Sequence, residues 1–158
     1  DEVRDVARQM TQRLTDVGQP PTGFLLQRMA PQGVEMIIGI VHDPQFGPVV
    51  AVGAGGVLVE LLKDVSVRLT PLTERDASDM IRNLKSYPRL EAFRGRPASD
   101  VAALEDVLLR VSAMAEDLPQ ILELDCNPVM VLEEGAVIVD ARVKVGPTDP
   151  PRPLGARR

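Results

Sequence analysis

Oxygen-bearing side chains gather in one stretch of the chain, residues 123–143, ELDCNPVMVLEEGAVIVDARV. Asp125 and Asn127 stand two apart, so on a strand they share one face and leave Leu124 and Cys126 to the other. A turn centred on Glu133 and Glu134 sets Asn127 opposite Asp140 on that same face, with Cβ atoms about 4.5–5.5 Å apart. A turn shifted by one residue undoes the pairing, because a slip of one reverses every side chain. Two carboxylates that close, Asp125 and Asp140, repel by about 3–4 kcal/mol at an effective dielectric of about 20. A hard divalent cation removes that cost, and Mg2+ takes one or two carboxylates while water and phosphate oxygens fill its other positions. Asp125, Asn127 and Asp140 are therefore the candidate metal ligands. Pro128, which interrupts the ladder directly after Asn127, favours a shaped site over the plain alternative of a solvated hairpin face. Cys126 points away and reads as a small core residue.

Other segments carry weaker chemistry. Gly53-Ala54-Gly55-Gly56 follows one apolar run and precedes another, VLVELL. Consecutive glycines leave backbone N–H groups open to a phosphate, but neither a Rossmann nor a Walker fingerprint is present, and a tight bend in the sheet is the favoured reading. Glu60 and Lys63 then line a surface. Glu35 is an acid on an otherwise apolar strand, which requires a partner or a ligand. His42-Asp43-Pro44 reads as the end of a strand with a surface histidine, and a single histidine supports no catalytic triad. Arg94-Gly95-Arg96 reads as a solvated loop in preference to an anion grip.

The elements that must position these residues follow from period and punctuation. Val3, Val6, Met10, Leu14 and Val17 recur at spacings of three and four and predict a helix over 1–17, stopped by Gly18 and Pro20-Pro21. Residues 23–29, 33–42 and 48–54 predict strands joined by short turns, with a further short strand over 65–69. Thr73 and Asp76 form a capping box for a helix over 74–85. A loop over 86–98 leads to a second helix over 99–117, ended by Pro119. Strands over 121–126 and 136–143 close the ordered part, and the tail 146–158, with four prolines and three arginines, has little to bury. Hairpins with helices over one face make the fold class α+β, with an antiparallel or mixed sheet flanked by helices.

Composition bounds the rest. The 158 residues suit one domain, with 44% hydrophobic and 26% charged residues. A net charge of −5, three Phe, one Tyr and no Trp argue against a nucleic-acid partner. One cysteine and one histidine supply neither a disulfide nor a zinc site and suit a reducing, cytoplasmic setting. No apolar run approaches the roughly 20 residues of a membrane span. The chain opens at Asp1 inside a predicted helix, which reads as a piece of a longer protein.

Taken in order, Gln27-Arg28-Met29, Gly33 to Gly39, Asp43 to Pro48, Gly53 to Gly56 with Glu60 and Asp64, Glu123 to Pro128 and Asp140-Ala141-Arg142 resemble one family. It is the ATP-grasp domain of ADP-forming acyl-CoA (acetyl-CoA) synthetases, related to the succinyl-CoA synthetase β subunit. The resemblance covers about residues 1–145 and implies the C-terminal part of an ATP-grasp domain. It implies an enzyme that couples an acyl-CoA thioester to phosphorylation of ADP through an acyl phosphate and a phosphohistidine, with ATP/ADP and Mg2+ as cofactors. By that resemblance Gln27 and Ala30 contact the adenine end, Glu35 the ribose hydroxyls, and Asn127 and Asp140 the magnesium. Asp125 stands where the related subunit has a glutamate, and Gln27 where it has an acid. The phosphate-binding lysine and glycine-rich loop, the CoA-binding domains and the phosphohistidine segment are the partners this stretch lacks, so it has no ligase activity alone. Two readings remain beside the enzyme: a regulatory ATP-grasp module, for example fused to a GNAT-type protein acetyltransferase, and an α+β dimerisation domain.

Overall fold

The computed structural model describes residues 1–43, 45–56, 64–92 and 95–147. Apolar residues at alternate positions build two long neighbouring strands, β1 (Val34–Asp43) and β2 (Gly47–Ala54). They pair antiparallel from Met36 opposite Ala54 to Asp43 opposite Gly47. β3 (Val65–Leu69) adds to the outer side of β2, and β4 (Ile121–Val131) to the outer side of β1. The returning arm of the last hairpin is split into β5 (Ala136–Ile138) and β6 (Ala141–Val145), both antiparallel to β4. The sheet runs β3-β2-β1-β4-β5, with β6 also on β4.

One face of this sheet is the core. Met36, Ile38 and Ile40 of β1, Val50 and Val52 of β2, and Leu124, Cys126, Val129 and Val131 of β4 are all buried. Two helices cover them. α2 (Glu74–Arg82) contributes Ala77, Met80 and Ile81, and α3 (Val101–Asp117) contributes Leu104, Leu108, Val111 and Ala115. Each large side chain so buried stabilises the fold by roughly 1.5–3 kcal/mol. α2 starts at the predicted capping box: the Asp76 N–H donates to Thr73 Oγ1 (3.2 Å) and the Thr73 N–H donates back to Asp76 Oδ2 (3.0 Å). The Thr73 hydroxyl also donates to Asp76 Oδ2 (2.6 Å), and this bond, the Thr73 N–H and the Arg68 guanidinium hold the Asp76 carboxyl below its ordinary range against an opposing effect of burial.

The N-terminal segment is built differently. α1 (Glu2–Asp16) forms as its period predicts, yet it buries no residue, and Val3, Val6 and Met10 are exposed. The strand predicted over 23–29 does not form, and residues 18–33 run without helix or strand. Phe24, Leu25, Leu26 and Met29 are exposed, Met29 by 88%. GFLLQRM has apolar residues in succession instead of alternation, so it offers no single inward face, and no neighbouring strand accepts its backbone.

His42, expected on the surface, is half-buried within β1, and its Nδ1 has no partner among the described residues. The predicted surface residues Glu60 and Lys63, Arg94 of the loop, and nearly all of the predicted tail lie outside the described residues. Gly146, at the start of that tail, donates its N–H to the Gln120 carbonyl (2.9 Å).

Candidate functional site

Among the described residues no helix lies over the second face of the sheet, and the character of that face changes along β4. At one end Met130 stands between Glu35 of β1 and Val137 of β5. At the other, Asp125 faces Arg142 and Glu123 faces Lys144 of β6. Between them lie Asn127 and Asp140.

Their pairing is the one the sequence predicts. The hairpin closes with the Leu132 N–H donating to the Gly135 carbonyl (2.9 Å), which centres the turn on Glu133 and Glu134. Val129 then faces Ile138 and Cys126 faces Ala141, so Asn127 and Asp140 are opposite each other. The Asn127 N–H donates to the Asp140 carbonyl at 3.1 Å. On the β1 side the register shifts: Met36 faces Val129 but Ile38 faces Cys126, so Asn127 and Pro128 together oppose Ile37. This one-residue bulge falls where Pro128 removes an N–H, and it re-aims the strand beside Asn127. Cys126, buried beneath, has its thiol pushed up by burial, with the neighbouring Asp125 charge adding to the effect.

Two carboxylates and an amide oxygen on an exposed face fit a hard cation that keeps open positions for water and phosphate. They do not make a closed cage, and among the described residues no three His, Cys, Asp or Glu side chains form a metal cluster of their own.

The linker supplies the other half of the site. Gln27 to Pro31 and Val137 to Val139 wall a cleft of about 410 Å3, a size ordinary for small-molecule sites. Gln27 and Ala30 are both in its wall; Glu35 is not. Glu35 lies two strand spacings, about 10 Å, from β5. The glycines hold it there. Gly55 donates its N–H to the Glu35 carbonyl (2.8 Å), and a Cβ at Gly56 would sit 2.6 Å from Glu35 Oε2. Gly56 also has φ +71, which a side chain would strain. The glycine run is thus a close-packed bend around Glu35.

The structural roles of two acids, Asp100 beside the hairpin turn and Asp64 beneath the loop after α2, were not read from the sequence. Asp100 caps α3 by accepting the Ala103 N–H (2.9 Å) and also accepts the N–H of Gly135 in the hairpin turn (2.8 Å). Those amides, Gly135 first, hold its carboxyl below the usual range. Asp64 is buried and accepts the N–H groups of Lys85 (2.8 Å) and Ser86 (2.7 Å). Burial alone would raise its pKa, but the hydrogen bonds from Ser86 and Lys85 and the Lys85 charge keep it low. An Asp three residues before Ala103 is a visible cap signal, whereas the long-range partners of both acids are not visible in a chain.

Residues 1–145 match the ATP-grasp domain family. The chain belongs to that family. Among curated relatives, it is 47% identical over 121 residues to the acetate–CoA ligase (ADP-forming) I subunit beta of Pyrococcus furiosus, covering 77% of this chain and 52% of that subunit. It is 42% identical over 123 residues to the 4-hydroxybutyrate–CoA ligase (ADP-forming) of Nitrosopumilus maritimus, covering 77% and 18%. Among solved structures, acetyl-coenzyme A synthetase 1 of Ca. Korarchaeum cryptofilum, in complex with coenzyme A and Ca-AMPCP, superposes with a TM-score of 0.80 at 43% identity. That match covers 92% of this chain and 64% of the other. A structure of the same synthetase with coenzyme A and Mg-AMPPCP superposes at 0.73 with 39% identity, covering 84% and 70%. This ATP-grasp chain therefore spans about half the length of the P. furiosus subunit and a smaller share of the longer ligases. No helix among its described residues is long and apolar enough to cross a membrane.

Proposed function

We propose that this chain is the part of an ADP-forming acyl-CoA synthetase, of the acetate–CoA ligase type, that binds magnesium-ATP or magnesium-ADP during phosphoryl transfer. The observation that carries this reading is the polarity gradient along one open sheet face. An apolar cleft walled by Gln27 to Pro31 and Val137 to Val139 gives way to Asn127, Asp140 and Asp125. From Val137 to Arg142 is about 17 Å of strand, the reach of a nucleotide laid out from base to phosphates.

On this reading Gln27 and Ala30 hold the adenine, and the Glu35 carboxylate, packed beside Gly56, accepts hydrogen bonds from the ribose hydroxyls. Asn127 and Asp140, with Asp125 beside them, would hold Mg2+, whose charge neutralises the β- and γ-phosphates as the phosphoryl group transfers. The chain's own contribution is to set these residues on one face of paired strands, with Asn127 opposite Asp140, so that their oxygens converge on a cation. Residues 1–145 form the ATP-grasp portion and 146–158 a tail. The phosphate-binding lysine, the phosphohistidine and the CoA site belong to the remainder of the synthetase, which acts in the cytoplasm. Relatives named as ADP-forming ligases support this reading, as does a solved relative in complex with Mg-AMPPCP.

An amide NMR titration with ATP, with and without Mg2+, tests it. Mg2+-dependent shifts are expected at Asn127 and Asp140, with nucleotide shifts from Gln27 to Glu35. Shifts confined to other parts of the chain would overturn it.

A further inference from the structure

β4 and β6 carry two facing acid–base rows on the open face, and the rows are not alike. Glu123 faces Lys144, and Lys144 Nζ donates to Glu123 Oε1 at 2.7 Å, a closed pair. Asp125 faces Arg142, but the acid near the guanidinium is Asp140, with Arg142 Nε 4.0 Å from Asp140 Oδ2. That is beyond hydrogen-bond range. Arg68, Arg82 and Arg110 each donate to a carboxylate. Arg142 donates to no acceptor among the described residues, and its side chain is 84% exposed. A planar fork of five N–H donors thus stands unused beside a carboxylate placed in the metal site.

We propose that Arg142 is a ligand of the nucleotide's terminal phosphate, and that it exchanges Asp140 for that phosphate when the metal arrives. This inference rests on the function proposed above. Without metal, the guanidinium offsets the Asp140 charge through space. Once Asp140 turns to a divalent cation, the arginine is repelled from the cation and drawn to the phosphate oxygens the cation brings with it. A guanidinium suits that role because it grips two phosphate oxygens at once and stays charged. No bond is made or broken in the exchange. Lys144, one row further along and already paired, does not take part.

The test is a side-chain NMR titration that follows the Arg142 Nε–Hε signal and the amides of Asn127 and Asp140, on the chain and on Arg142→Gln and Arg142→Lys. Mg-ADP is expected to shift all three signals. Arg142→Gln should weaken Mg-ADP about 10–100-fold, leave adenosine binding unchanged, and be partly rescued by Arg142→Lys. Mn2+ alone, read by paramagnetic broadening at Asp140, should bind the Gln variant as tightly as the parent or more tightly, because a competing cation has gone. Equal weakening of Mn2+ and Mg-ADP would show a structural role and overturn the proposal. So would Mg-ADP shifts at Asn127 and Asp140 with a silent Arg142, which would leave the nucleotide reading standing. Silence at all three positions would remove both.

Discussion

β4 serves two faces of one sheet with alternate residues, and the two faces obey opposite rules. Leu124, Cys126, Val129 and Val131 are buried on the side where α3 packs, whereas Glu123, Asp125 and Asn127 are exposed on the other side. Burial sets stability on the first face. On the second, side chains hold oxygens and charges at fixed spacing and contribute little to folding. A single strand can therefore be altered for stability or for chemistry by moving one position along it.

The contrast can be broken most directly at its strongest points. Ile38→Ala or Leu108→Ala, both fully buried, should cost about 2–5 kcal/mol in urea unfolding. Val67→Ala on the open face should cost well under half as much; an equal cost would mean that the face is covered. Asp140→Asn should do the reverse. On the proposed function, it is expected to lower turnover of the complete synthetase about 10²–10³-fold while leaving the urea midpoint in place. A shifted midpoint with intact turnover would collapse the distinction.

Asp100→Ala lies where the faces meet, since its carboxylate joins α3 to the hairpin turn. About 1–2 kcal/mol of destabilisation is expected from the lost cap, and amide exchange should quicken at Gly135 as well as Ala103. Acid sharpens the same point. Asp64, Asp76 and Asp100 are all held below their ordinary values, so their contribution is complete above the unfolded carboxylate value of about 3.9 and is lost as pH falls through the lower folded values. Urea midpoints from these groups should be level above about pH 5 and fall below about pH 4, with a shallower fall in Asp64→Asn. The smallest effect belongs to Lys144→Ala. Its exposed pair with Glu123 should be worth under about 1 kcal/mol and should weaken with salt.

The parts legible in the sequence were those fixed by near neighbours. The period of 1–17, the alternation of 33–42 and 48–54 and the Thr73–Asp76 cap each state their own geometry. So does the 133–134 turn, which alone decides that Asn127 meets Asp140. The rest depends on partners far along the chain. Residues 23–29 have strand-forming composition but no strand to join. Asp64 looks like any surface acid until Lys85 and Ser86 arrive over it. Gly55 and Gly56 favour a tight bend over a phosphate cradle in the sequence, but Glu35, around which they bend, is twenty residues away in the chain. Arg142 gave no signal as a single residue; only the closed Lys144 pair beside it makes its open state informative.

The cleft between Gln27–Pro31 and Val137–Val139 has unequal walls. The β5 wall follows directly from the turn that Asp100 clamps to α3, and it is tied to the core through its ladder with β4. Among the described residues the Gln27–Pro31 wall has no ladder partner and none of residues 18–31 is buried, and it joins the sheet at Gly33, where a Cβ would sit 2.5 Å from the Val131 carbonyl. A ligand held between a fixed jaw and an unbacked one departs when the unbacked jaw yields. On the proposed nucleotide-binding function, substitutions in residues 18–31 are expected to change residence time, and substitutions in β5 to change orientation.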